Sequence, residues 1–194
     1  ALISELLGGL IAKHLGLPVP EIVFVELDKA FGQTEADEEI QDLLKFSQGL
    51  NLGLHYLSGA ITYDVATNTC DPLLASKIVW LDSFITNVDR TFRNTNLLIW
   101  HKELWLIDHG AAFYFHHSWD NWEKTSVTPF AMIKDHALIK QASELETVHK
   151  EFTEKLNDAF FRELVNTIPD EFLNWEEGPS NEEIRDVYFK FMSN

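Results

Sequence analysis

Two short apolar runs, Leu97–Trp100 and residues 104–107, stand three residues apart across His101-Lys102-Glu103, with polar loops on either side. Runs of that length and separation read as the two strands of one hairpin. The hairpin constrains the fold because most of the chain around it has helical periodicity, so a small sheet must be housed among helices. Neither run alternates cleanly between polar and apolar residues, and we expect the hairpin to be buried on both faces.

The helices announce themselves by spacing. Leu2, Ile3, Leu6, Leu7, Leu10, Ile11 and Leu15 recur at three- and four-residue steps, and Gly16 followed by Pro18 and Pro20 suits a helix stop and an extended exit. Ile22 through Leu27 is a β-branched and aromatic run of strand length. An acidic helix is expected next, with Thr34 as its N-cap, the solvated charges of residues 35–39 in its first turn, and Ile40, Leu43 and Leu44 on one side. Residues 48–63, punctuated by Gly49, Gly53 and Gly59, suit an extended connector. Asp71-Pro72 opens a helix through Leu74, Ile78, Leu81 and Ile85 that ends near Asn87. Leu145, Val148, Phe152, Leu156, Ala159, Phe160 and Leu164 predict one continued core-facing stripe, and Ser180 with Glu183 predicts a capping box ahead of Ile184, Val187, Tyr188 and Phe191. The fold class is therefore α+β and predominantly α.

Composition removes whole classes of function. At 194 residues and 45% apolar content the chain has material for a real core, which excludes a disordered or low-complexity protein. Thirty-one acidic residues against fifteen Lys and Arg leave a net charge of −16, which repels phosphate backbones and anionic lipid, so neither nucleic acid nor membrane is an expected partner. A single cysteine, Cys70, cannot close an internal disulfide. The opening residues are apolar but interrupted by Glu5, Lys13 and His14, with no basic cluster ahead of them, so they are not read as a secretory leader. The chain starts without Met and within a helical pattern, and we expect it to begin inside a domain. A cytoplasmic location follows as an expectation.

The chemistry concentrates in one stretch: Asn87-Val88-Asp89-Arg90-Thr91-Phe92-Arg93-Asn94, then the hairpin, then Ile107-Asp108-His109-Gly110. Phosphoryl transfer from ATP needs a carboxylate beside the acceptor hydroxyl and hard oxygen ligands for magnesium. Protein kinases take the first and one ligand from an Asp and an Asn five residues downstream, and the second ligand from an Asp at the end of the next hairpin. Asp89, Asn94 and Asp108 have that order, spacing and intervening hairpin. A carboxylate directly after Leu106-Ile107 is a poor core residue, and burying Asp108 without a partner would cost several kcal/mol, roughly. Arg90 is expected to brace the loop rather than react.

The Asp89-Arg90-x-x-x-Asn94 loop, the Asp108-His109-Gly110 triplet and the opening segment ending in Gly16-Leu17-Pro18-Val19-Pro20 resemble the HipA-like serine/threonine kinases, a branch of the protein- and lipid-kinase superfamily. The resemblance implies a kinase-like architecture: a partial N-lobe and hinge over residues 1–57, and a mostly helical C-lobe over residues 58–194 with the hairpin at its centre. It implies ATP and Mg2+ as cofactors, a protein substrate and an antitoxin-like partner. It makes Asp89 the catalytic residue, Asn94 and Asp108 the magnesium ligands, and Glu5 the helix carboxylate that in such kinases pairs with a phosphate-binding Lys. Residues 48–56 would be the hinge that meets adenine. The triplet carries His109 where most protein kinases have Phe, and neither the Gly-rich loop nor the strand Lys stands ahead of Glu5. Two other readings stay open: an inactive pseudokinase-type binding module whose acidic surface docks a basic partner, and a metal-dependent hydrolase built on His101, His109, His116 and His117. In the latter, adjacent His116 and His117 are expected on a strand, facing opposite ways.

Overall fold

The structure is a computed structural model that describes residues 1–32, 35–174 and 178–194. Among the described residues it is a mixed α+β fold, mostly helical, with seven α-helices and two small antiparallel sheets. Helix α1 (Leu2–His14) leads through Pro18 and Pro20 into β1 (Ile22–Leu27), and α2 (Glu38–Phe46) connects that strand to β2 (Gly49–Leu54). Strand β3 (Ile61–Thr62) precedes α3 (Pro72–Phe84), which is followed by β4 (Leu97–Trp100) and β5 (Glu103–Leu106). The remainder comprises short α4 (Trp122–Ser126), α5 (Leu145–Lys155), α6 (Asp158–Asn166) and α7 (Asn181–Ser193), joined by loops and 3-10 turns.

Local chemistry explains the boundaries. Helix α1 ends in a Schellman motif: Gly16 sits at φ +80°, its N–H donates to Lys13 O at 3.1 Å, and Leu17 N–H donates to Ala12 O at 2.9 Å. Asp71 caps α3 through Leu74 N–H, with Pro72 at the first helical position. Ser180 and Glu183 form the capping box of α7. The Thr34 cap lies outside the described residues; Asp37 caps α2 by accepting from the N–H groups of Glu39 and Ile40.

Three sequence expectations are corrected. The stripe from Leu145 to Leu164 is two helices, because Leu156 is extended and the Asn157 side chain starts α6 by accepting from Phe160 N–H at 3.0 Å. His116 and His117 lie in the 3-10 turn Tyr114–Asn121 rather than on a strand. The hairpin is only partly enclosed: Leu97, Leu104 and Leu106 are buried, while Leu98, Ile99, Trp100 and Trp105 are half-buried.

One continuous core joins α1 (Leu6, Leu7, Ile11), α3 (Ile78, Leu81), the hairpin (Leu97, Leu106) and the later helices (Phe152, Phe161, Ile184). Sheet one pairs β1 with β2 from Ile22↔Leu54 to Leu27↔Gly49. Sheet two has the order β3-β4-β5, and Leu106 N–H at its far edge donates to Pro18 O at 2.9 Å, tying the hairpin to the exit of α1. Two glycines let α1 be approached closely. A Cβ on Gly9 would meet Ile22 Cδ1 at 2.5 Å, and one on Gly8 would meet His109 Cβ at 2.7 Å. Thus the helix that carries Glu5 is packed directly against the end of the hairpin. No helix among the described residues is long and apolar enough to cross a membrane.

Candidate active site

The loop after α3 is held by backbone before any side chain acts. Ile85 N–H closes the helix on Leu81 O, and Thr86 then turns the chain at φ +50°, a conformation seldom taken by a β-branched residue. Asn87 N–H returns to Asp82 O at 2.9 Å, and Asn87 Oδ1 accepts from Asp89 N–H at 3.1 Å. Thr91 N–H donates to Asn94 O at 2.9 Å and closes the turn.

This turn brings Asn94 back onto Asp89. Asp89 Oδ2 accepts from Asn94 Nδ2 at 2.7 Å and from Asn96 Nδ2 at 3.3 Å, while its Oδ1 has no partner among the described residues. Asp89 is half-buried and Asn94 exposed. Asn94 donates through its nitrogen, so its amide oxygen stays outside that bond.

Behind the loop lies a buried charged cluster. Arg90 is wholly enclosed; its Nε donates to Asp82 Oδ2 at 2.6 Å, and its Nη1 donates to the carbonyls of Asn96 and, at 3.2 Å, Ile107. Asp82 Oδ1 accepts from Asn87 Nδ2 at 3.0 Å, and His136 Nε2 contacts Asp82 Oδ2 at 2.8 Å. Because His136 Nδ1 accepts from Leu138 N–H at 3.0 Å, its proton sits on Nε2, facing the carboxylate. Burial by itself would raise the Asp82 carboxyl, but the Arg90 guanidinium and the His136 contact outweigh it and hold the group well below the ordinary carboxylate range. Arg90 is thus a brace, as expected. It ties the residue next to Asp89 to the residue before Asp108.

Asp108 departs from expectation. It is exposed rather than buried, on a left-handed turn at φ +56°, and its Oδ1 accepts from Gly110 N–H at 3.3 Å. The hairpin end turns the carboxylate out to water, so no burial penalty arises. Its neighbour His109 goes inward instead, packed on Gly8.

Glu5 reaches this triplet from α1. Its Oε2 accepts from His109 N–H at 2.5 Å, and its Oε1 lies 3.8 Å from His109 Nδ1. Burial pushes the Glu5 carboxyl up, yet the contacts to His109 win and leave it below its ordinary value. The carboxylate that the resemblance assigns to a Lys is here engaged by the backbone of residue 109.

Beside the loop a cavity of about 330 Å³ is lined by Asp64, Arg93, Asn94, Asn96 and Ile107, among others. Of the histidines, His116 and His117 stand side by side, with ring centroids 4.7 Å apart. His109 is buried, His101 is exposed at the hairpin tip, and no group of three or more His, Cys, Asp or Glu among the described residues is placed to hold a metal.

Sequence reasoning missed Asp82 and His136. The signal for Asp82 was available, since it is the only carboxylate in the helix Pro72–Phe84 and sits among Ile78, Leu81 and Ile85. His136 carried none, because its partner lies 54 positions away.

No curated protein and no solved structure matches the chain. A family model described as HipA-like kinase matches residues 1–192, a span that holds the loop from Asp89 to Asn94, the hairpin and the Asp108-His109-Gly110 triplet, and the chain belongs to the HipA-like kinase family.

Proposed function

We propose that this protein transfers the γ-phosphate of ATP to a serine or threonine hydroxyl of another protein, with Asp89 as the catalytic residue. In this reading residues 1–57 form a partial N-lobe and hinge, and residues 58–194 the C-lobe. The observation that carries it is the state of Asp89: one carboxylate oxygen is fixed by two amides and the other is left to accept from an incoming hydroxyl. Membership of a kinase family supports the use of ATP.

The residues present fit magnesium. Mg2+ takes hard oxygen donors, usually one or two carboxylates with further oxygens. Asn94 has an amide oxygen free of its bond to Asp89, and Asp108 offers an exposed carboxylate. These two would hold the ion, which when bound neutralises charge on the phosphates.

The chain's own groups do the positioning. Asp89 orients the acceptor hydroxyl and takes its proton as transfer proceeds. Arg90 fixes the backbone on both sides of the site from a dry interior, where its Nε and Nη1 donate to oxygen acceptors. Glu5 holds the His109 amide, so the backbone that follows Asp108 is set by α1. Rate gain in such a site comes from placement and fixed charge rather than covalent steps.

The test uses the full-length protein with labelled ATP, Mg2+ and protein or peptide acceptors. Label is expected on serine or threonine, with Asp89→Asn lowering kcat by about 10²- to 10⁴-fold while nucleotide binding persists. Asp108→Asn is expected to weaken nucleotide binding only when Mg2+ is present. Equal turnover by Asp89→Asn, or no transfer by the wild type, overturns the reading.

A further inference from the structure

A second cavity, of about 470 Å³, lies on the other flank of the loop, with walls that include Thr86, Tyr114, Lys124, Phe130 and Met132. Its position is fixed relative to Asp89 from two directions. Thr86 stands three residues before Asp89, and its Oγ1 accepts from Tyr114 N–H at 3.2 Å, while Phe113 N–H donates to Ile85 O at 2.6 Å. The opposite wall runs into the 3-10 turn Ala131–Asp135, directly before His136. Residue 136 forms an antiparallel bridge with Thr91, and Ala137 N–H donates to Arg90 O at 3.0 Å. Both walls are therefore fastened to the loop that carries Asp89, one on each side of it.

The chemistry of the walls is selective. Tyr114 and Met132 each leave 49% of their surface exposed, and Phe130 and Pro129 add further apolar area. The hydroxyls of two lining threonines are already spent: Thr125 Oγ1 donates to Asn121 O at 3.0 Å and Thr128 Oγ1 to Lys124 O at 2.6 Å. They do not compete for a polar ligand. Lys124 supplies the charge, and its ammonium has no partner among the described residues. In a chain of net charge −16, an unpaired cation on the rim of an apolar cavity is a local exception that an anionic group complements.

We propose that this cavity is a specificity subsite for the acceptor protein. It receives a large aliphatic or aromatic side chain from an extended segment, within three residues of the serine or threonine presented to Asp89, with a carboxylate of the same segment meeting Lys124. The volume lies in the range of ligand pockets and suits one or two side chains rather than a folded surface. This rests on the phosphotransfer reading of the Asp89 loop.

The experiment uses the full-length protein and a library of serine-centred peptides varied at each of the three positions on either side. Two quantities are read separately: binding of fluorescent peptides, and transfer of phosphate from Mg-ATP. We expect peptides with Leu, Met or Phe plus a nearby Asp or Glu to exceed their Ala-substituted counterparts roughly tenfold or more in kcat/KM. Met132→Ala is expected to weaken the apolar preference, and Lys124→Glu to turn the acidic preference into a basic one, an inversion that loss of folding cannot mimic. Transfer with no preference at any position, or preferences untouched by both variants, overturns the subsite and leaves the kinase reading in place. Peptide bound with these preferences but never phosphorylated overturns the kinase reading and the acceptor role with it. Neither binding nor transfer overturns both.

Discussion

The cluster behind Asp89 and the segment formed by β1, α2 and β2 hold their shape by opposite means. Around Arg90 and Asp82 the contacts are specific: a histidine and an asparagine meet the carboxylate, and the guanidinium meets that carboxylate and two carbonyls. In the other segment α2 has no buried residue, Phe46 is 90% exposed and Phe24 is 50% exposed. A two-stranded sheet is marginal without further packing. The difference teaches where this sequence concentrates its specificity. Polar interactions with few alternatives set the loop geometry, whereas apolar side chains with little to press against leave the first sheet loosely determined.

The largest effect is expected from breaking the cluster. Arg90→Met leaves Asp82 charged in a dry interior, and stability should fall by about 3–5 kcal/mol in urea unfolding, since removing one partner of a buried pair strands the other. A loss below about 1 kcal/mol would place the Arg90 pair on a level with the exposed sheet.

Acid provides a smaller, graded break. The Asp82 carboxyl is held below its unfolded value of ~4, so its contribution is fully present above that pH and is lost as pH falls through the native value. Glu5 is depressed in the same direction. Unfolding free energy measured from pH 6 downward should therefore decline below pH ~4. Stability that stays flat or rises there would contradict the assignment of Asp82 as the buried anion.

The smallest effect sharpens the contrast from the other side. Phe46→Ser should change stability by no more than about 0.5 kcal/mol, as exposed positions usually do. A cost of 2 kcal/mol or more, roughly the value of a fully buried large side chain, would mean that α2 is covered in solution.

Legibility followed the range of the interactions. The end of α1 at Gly16, the Asp71-Pro72 start of α3 and the Ser180–Glu183 box depend on residues within five positions of each other, and each was readable as chemistry. The Asp89–Asn94 contact belongs with them, spanning five positions. The break between α5 and α6 was also local. Asn157 is a good cap, but apolar residues at helical spacing on both sides masked it. What could not be read joins distant segments: His136 to Asp82, Glu5 to the amide of residue 109, and the brace from Arg90 to Ile107. Asp108 was misjudged for the same reason. Its left-handed turn puts it in solvent while His109 fills the interior, a swap that depends on Gly8 leaving room 101 positions earlier.

Arg90 grips Ile107 by its carbonyl oxygen, and a carbonyl is the same on every residue. The brace demands a chain path at that position and is indifferent to the side chain, which is left to line the cavity beside Asn94. Bulk or shape at residue 107 can therefore drift or be engineered to retune what that cavity admits, while the foundation under both aspartates stays untouched.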